Sequence, residues 1–390
     1  MGTDENSKGR ARERACVRDG RNVPLIFGAN RTYKSHSVLQ RCWNSLNSFG
    51  AKLDTARLPG GLRNGRFVLR VRIISCLCGV FACAGAFLCS PAFADKLRLT
   101  PGAFSAADKI YSGDFEGGRQ EAIRLQAEQP EHPIGYLLEA EALWWKIWCT
   151  SAEFKYGMTF PRHRAKLAAD RHYLDLAAKV SLLSEKQIAQ RDSAEMQFYA
   201  GMGDALAARL YGLRGDGRTT ARSGVRTREH LLKALALDPE LADANFGLGL
   251  YNYYVDTLSA AARVLRFFMG IPGGSKKDGI RQLQCAMEAG ELTPAVARFY
   301  LAINLHNYDQ QYERALEVIT PLVEKYPSNA LFQLAQGDLL AKLGRKEQAR
   351  ECYRAAGTTA TSDAECREHI QALVRAALAA LGEHGAGRRQ

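Results

Sequence analysis

From residue 95 onward, apolar residues recur at i, i+3, i+4 and i+7, the spacing of one-sided helices, and the alternation that marks strands is nearly absent. This period predicts helices over 103–112, 115–128, 133–148, 163–183, 190–213, 221–236, 242–256, 258–269, 276–289, 293–306, 311–325, 329–343, 346–356 and 362–382. The clearest stretch runs from Ala330 to Ala356. Gly337 falls where one helix would press on the next, and Gly344 is placed to end the first helix in a left-handed conformation. Ala349 and Ala356 leave room for close approach, and Tyr353 between them fills the gap.

The same spacing returns elsewhere. Tyr312, Ala315, Ile319 and Pro327 repeat it upstream, and Pro327 lies 34 residues before Thr361. Leu231, Ala234 and Pro239 repeat the end of the pattern, and Leu248-Gly249 the start of the next unit. Gly113-Asp114-Phe115 with Pro130 forms a weaker first copy. In these residues the chain resembles the tetratricopeptide repeat superfamily, whose unit is a helix–turn–helix of about 34 residues. Asn245 and Gln333 depart from it, standing where the family favours a bulky aromatic, and Gly118 and Thr227 replace its usual Ala. The resemblance implies an all-α fold: an α-solenoid of antiparallel helix pairs in a right-handed superhelix over 95–382. The Ala-rich, charged helix 362–382 would serve as its solvated C-terminal cap, with a frayed tail over 383–390.

The front of the chain is different. Arg63, Arg66, Arg70 and Arg72 precede an uncharged apolar run of 17 residues, Ile73 to Cys89. Ser90-Pro91 then breaks the run, and Ala92-Phe93-Ala94 offers a small-x-small cleavage motif, so that Asp95 would become the new N-terminus. That order is the order of a secretory signal. Left uncleaved, the 22 uncharged residues 73–94 are long enough to span a bilayer as an inner-membrane anchor. A lipid-modified Cys83 is the third alternative, but Phe81 before it is bulky and apolar sequence continues after it. Residues 1–62 are basic, polar and without hydrophobic period, which reads as a disordered extension or a start assigned too early.

Composition alters one conclusion. The net charge of +12 suggests nucleic acid at first sight. Residues 1–94, however, carry 15 Lys+Arg against 5 Asp+Glu, while the remaining 296 residues carry 38 against 36. Phosphate neutralisation needs cations on the folded surface, so no nucleic-acid partner is expected.

Candidate chemistry is sparse. Six of the ten cysteines lie in the leader region, leaving Cys149, Cys285, Cys352 and Cys366, none in a CxxC pair. Cys352 and Cys366 lie in consecutive predicted helices and would either pair or pack as small buried residues. Cys366 and His369 share a helix face but are too few for a metal. Glu139 and Glu141, two residues apart, read as solvated. Gly273-Gly274-Ser275-Lys276-Lys277 lacks the spacing of a Walker loop, and Ser275 there reads as a helix N-cap. The aromatics of 251–269 read as core or as an exposed apolar surface. No catalytic residue, metal or cofactor is expected. The reading is a non-catalytic scaffold, exported to the periplasm or secreted, that takes a protein or peptide partner on the first helix of each pair. Trp145, Asn245, Asn252, Gln333 and Gln336 are the candidate contacts.

Overall fold

The computed structural model describes residues 97–161, 166–268, 270–359, 361 and 363–386. The extension 1–62, the signal or anchor 63–94, the cleavage pair Ala94 and Asp95, and the last four residues lie outside the described residues.

The described chain is almost entirely helical. Its helices are α1 (Pro101–Tyr111), α2 (Phe115–Glu128), α3 (Ile134–Ser151), α4 (Ala169–Gln190), α5 (Ala194–Arg214), α6 (Gly217–Leu237) and α7 (Ala244–Thr257). They continue as α8 (Ala260–Phe268), α9 (Lys276–Ala289), α10 (Pro294–Asn307), α11 (Tyr312–Lys325), α12 (Ala330–Lys342), α13 (Lys346–Thr358) and α14 (Ala364–Ala386). Each of the 14 predicted helices has a counterpart. The largest displacement is α4, expected over 163–183. Its start is delayed by a hairpin that periodicity did not register, β1 (Ala152–Lys155) and β2 (Met158–Pro161). The two strands pair antiparallel, with Lys155 opposite Met158. Tyr156 and Gly157 turn the chain between them at φ 56° and 70°, the two left-handed positions that a tight two-residue turn requires.

Consecutive helices pack on one another along the chain. In the α12–α13 pair, burial separates an inner from an outer helix. In α12, 10 of 13 residues are buried. In α13, which packs against it, only Ala349, Tyr353 and Ala356 are. The outer helix therefore has the stripe of a surface helix, and the inner one is covered on nearly all sides. Small residues set the approach. A Cβ on Gly337 would lie 2.6 Å from the Tyr353 ring, and one on Gly249 would lie 2.8 Å from Leu283 of α9. Helix starts are capped by side chains: Thr100, Asp114, Ser193, Asp216, Ser275 and Asn329 each accept a first-turn N–H. Each cap contributes about 1 kcal/mol.

The run of pairs returns on itself. α14 buries Cys366, Ile370, Leu373, Val374, Ala377 and Leu381 and exposes Glu365, Arg367, Glu368 and Arg375, and it packs beyond α13 on α3, α12 and β1. A disulfide joins Cys149, at the end of α3, to Cys366 across 217 residues. This corrects the Cys352–Cys366 alternative; Cys352 is a free, half-buried thiol. The pattern of local helices had no means of bringing Cys149 to α14. Strand β2 docks on α12 through the Thr159 N–H, which donates to Asp338 at 2.5 Å. At α1, the Tyr326 hydroxyl donates to Asp108 at 2.8 Å, and the Asn329 amide donates to the Tyr111 carbonyl at 2.8 Å.

Candidate functional site

Trp145 is fully buried. Its ring lies 4.9 Å from Phe299 and 5.5 Å from Phe332, with Tyr111 at 6.2 Å and Trp148 at 6.5 Å between ring centres. These residues come from α1, α3, α10 and α12, so the meeting of the two ends fills the middle of the fold with aromatics. Edge-to-face packing of this kind adds about 1 kcal/mol per pair beyond area burial.

The four polar candidates direct their hydrogen bonds within the fold. Asn245 donates to the Cys285 sulfur at 3.8 Å, and Asn252 to Gln282 at 2.7 Å, both reaching from α7 to α9. Gln333 donates to the Pro327 carbonyl at 2.5 Å and accepts from the Thr359 hydroxyl at 3.2 Å. Gln336 donates to Thr320 of α11 at 3.2 Å and accepts from Cys352 of α13 at 3.4 Å. Asn245, Asn252 and Gln336 tie neighbouring helices, and Gln333 ties α12 to the residues that flank α12 and α13.

Two carboxylates expected in solvent are buried. Glu139 accepts from Gln126 at 2.7 Å, with His172 at 3.1 Å and Arg119 at 3.5 Å. Glu141 accepts from the Trp145 indole N–H at 3.0 Å and from Arg209 of α5 at 2.6 Å. Arg209 also donates to the Tyr173 hydroxyl at 3.2 Å and stacks over Trp144 at 4.3 Å. Burial works against its charge, but the Glu141 carboxylate outweighs it and holds its pKa well above the ordinary value. Burial in turn pushes the Tyr111, Tyr173 and Tyr300 phenols up, so they stay protonated. The Tyr300 hydroxyl lies against Arg209 and Trp144 in the same cluster. The arrangement is a fixed ion pair among neutral donors, which specifies packing by hydrogen bonding. The sequence carried a signal for this: 134–148 is apolar on every face, so any acid within it had to be buried and compensated.

Another buried acid, Asp338, accepts from Thr159 and from the Tyr353 hydroxyl at 2.5 and 2.8 Å. Burial raises its pKa to about 7, against the opposing pull of those donors and of Lys342.

The remaining candidates resolve simply. Cys366 is in the disulfide and His369 Nε2 meets the Ala152 carbonyl at 2.5 Å, so the two are not a ligand pair. Among the described residues no group of three or more His, Cys, Asp and Glu is placed to hold a metal. Ser275 caps α9 as expected, accepting from the Asp278 N–H at 3.3 Å. Tyr251 and Tyr253 are core, whereas Phe267 is 78% exposed. Among the described residues no helix is long and apolar enough to cross a membrane. Comparison with known proteins adds nothing to this geometry: no family model matches the chain and no curated protein matches it.

Proposed function

We propose that this chain is a non-catalytic protein–protein interaction scaffold of the bacterial cell envelope, built as a tetratricopeptide-like right-handed solenoid of helix pairs. The observation that carries the reading is the recurring contact between the helices of a pair. Gly203 of α5 meets Ala177 and Ser181 of α4, Gly249 of α7 meets Gly279 and Leu283 of α9, and Gly337 of α12 meets Tyr353 of α13. A small residue on the inner helix against the middle of the outer one, repeated along the chain, is how stacked repeats build a continuous surface from identical joints. Architectures of this kind act by binding, through residues that vary on a constant frame. Because the inner helices are covered, a partner would be met by the outer helices and the connecting turns.

The address rests on two features of different kind. One is the leader, with its arginines, apolar run and Ala92-Phe93-Ala94. The other is the buried Cys149–Cys366 disulfide, a bond that persists in oxidising compartments and is rare where thiols are kept reduced. Capture of a C-terminally tagged chain from its own cells, cross-linked and read by mass spectrometry, tests both parts. Enrichment of envelope proteins, with no peptide before Asp95, is the expected result. Cytoplasmic partners would overturn the address. Abundant peptides from residues 63–94 would replace the cleaved signal by a membrane anchor.

A further inference from the structure

The outer surface carries one cleft whose chemistry is one-sided. It has a volume of about 430 Å³ and lies between α9 and the turn that leads into α11. Lys276, Lys277 and Arg281 line it from α9, and Arg314 faces them from α11. Its acid, Asp309, is already satisfied, accepting from Lys276 at 2.5 Å and from the Tyr253 hydroxyl at 2.7 Å. Arg281 is paired with Asp278 at 3.1 Å. The neighbouring Glu313 is held by Arg345 at 2.9 Å. Lys277 and Arg314 are left without an acidic partner among the described residues, and Arg314 reaches only the Gln311 side-chain oxygen, at 3.3 Å. Gln284 and Gln311 complete the wall, with Ile280 between the cations.

We infer that this cleft binds an acidic segment of an extended polypeptide, an inference that rests on the scaffold reading above and gives it a place on the molecule. Two carboxylates of the segment pair with Lys277 and Arg314. Gln284 and Gln311, each with a donor and an acceptor, match the peptide backbone. Ile280 takes an intervening aliphatic side chain.

A compact anion fits less well, for two reasons. Two of the three first-turn amides of α9 that would cradle a phosphate, those of Lys276 and Asp278, are already engaged. Lys276 N–H donates to Asp256 at 2.8 Å, Asp278 N–H to the Ser275 hydroxyl at 3.3 Å, and Gly279 N–H to the Ser275 carbonyl at 2.8 Å. The polar groups are also spread out rather than convergent. Lys277 and Gln284 are two turns apart on one face of α9, a rise of about 10 Å, or roughly three residues of extended chain.

The test uses the full chain and a fluorescently labelled hexapeptide of alternating Glu and Val, read by anisotropy at low and physiological salt. A Lys/Val counterpart is the charge control, and inorganic pyrophosphate is the competitor. K277E/R314E is compared with K233E/R222E, the same charge change placed on α6, and circular dichroism verifies that each variant is folded. The inference expects K277E/R314E to weaken the acidic peptide by at least about tenfold and to flatten its salt dependence. It expects the α6 variant to stay within about twofold, and the Lys/Val peptide not to bind. Equal loss in both variants would reduce the effect to overall charge and overturn the inference. Displacement by equimolar pyrophosphate would overturn it in favour of a compact-anion site.

The partner recovered through the C-terminal tag separates this claim from the one beneath it. A partner that K277E/R314E still retains overturns the cleft as its docking place and leaves the scaffold standing. An acidic peptide bound at the cleft, in a chain that captures no partner, supports the cleft and overturns the scaffold.

Discussion

The α12–α13 pair and the seam that joins α12 to the front of the chain share one helix and are held in opposite ways. Within the pair, contact comes first from shape, with Tyr353–Asp338 as its one buried bond: Gly337 admits the Tyr353 ring, and Ala349 and Ala356 let the backbones close in. At the seam it comes from directional bonds and a covalent one. Thr159 meets Asp338, Asn329 meets Tyr111, Tyr326 meets Asp108 and Cys149 meets Cys366, each across 179 to 218 residues. Apolar packing suits neighbours in sequence, whose closure costs little chain entropy. Distant segments lose more when they meet, and here a crosslink and specific hydrogen bonds supplement the aromatic contacts.

The largest expected effect breaks the seam alone. C149S/C366S removes a crosslink that closes a loop of more than 200 residues, and chain entropy places the loss at about 5 kcal/mol. Thermal unfolding of the variant should then show α14 and the hairpin exchanging amide hydrogens before α12–α13 does. Simultaneous loss of protection everywhere would mean that seam and pair are one cooperative unit, and the contrast drawn here would fail.

The matching cut in the pair is Gly337→Ala. The new Cβ would stand 2.6 Å from the Tyr353 ring, and overpacking of this kind costs about 1–3 kcal/mol. Gly217→Ala is the control, because a Cβ there meets nothing within 4 Å. Urea midpoints of the two variants that fall together would show that the close approach at Gly337 is not what holds the pair.

Asp338 belongs to both regions, since it accepts from Tyr353 of the pair and Thr159 of the seam. Its pKa of about 7 is raised by burial above the ordinary carboxylate value. The folded state therefore holds the proton more tightly than the unfolded chain. The stabilisation is complete below the ordinary carboxylate range and is lost as pH rises to about 7. From pH 5.5 to 8 the loss from this group should approach about 2 kcal/mol, at ~1.4 kcal/mol per unit shift. Asp338→Asn should lower stability at pH 5.5 and flatten the dependence. A variant with the same slope as the parent would show that Asp338 does not titrate there.

What was legible in the sequence divides along the same line. Gly337, Tyr353 and Gly344 announced the α12–α13 pair because period and small-residue spacing are local properties. The hairpin at 152–161 was missed: four-residue strands carry too few positions to show alternation. Glu139 and Glu141 were misread for a different reason. Their spacing was judged as if α3 had a solvent face, although Trp144, Trp145 and Trp148 surround the helix with apolar bulk. Four of the five proposed contacts rested on polar residues near packing faces, and the same property suits a tie between helices, which is how Asn252 and Gln336 are used. Pairings such as Cys149 with Cys366 have no local signature at all.

Asn329 gives the smallest and finest cut between the two regions. Its side-chain oxygen accepts from the Leu331 and Phe332 N–H groups and so caps α12, while its amide donates to the Tyr111 carbonyl across the seam. Cap and tie therefore reside on opposite ends of one carboxamide. Asn329→Asp keeps an acceptor for the cap and places an oxygen where the amide donated. Asn329→Ala removes both functions. If the two regions are held independently, Ala should cost about 1–2 kcal/mol, the cap near 1 and the buried tie a similar amount. Asp should retain the cap and lose the tie, with Tyr111 left facing a carboxylate. In C149S/C366S, where the seam is already slack, the penalty of Asp over Asn should shrink. A double-mutant cycle reads that difference directly. An Asp penalty unchanged by loss of the disulfide would place the Tyr111 bond within the α11–α12 turn rather than in the closure, and would move the boundary between the two regions by one residue contact.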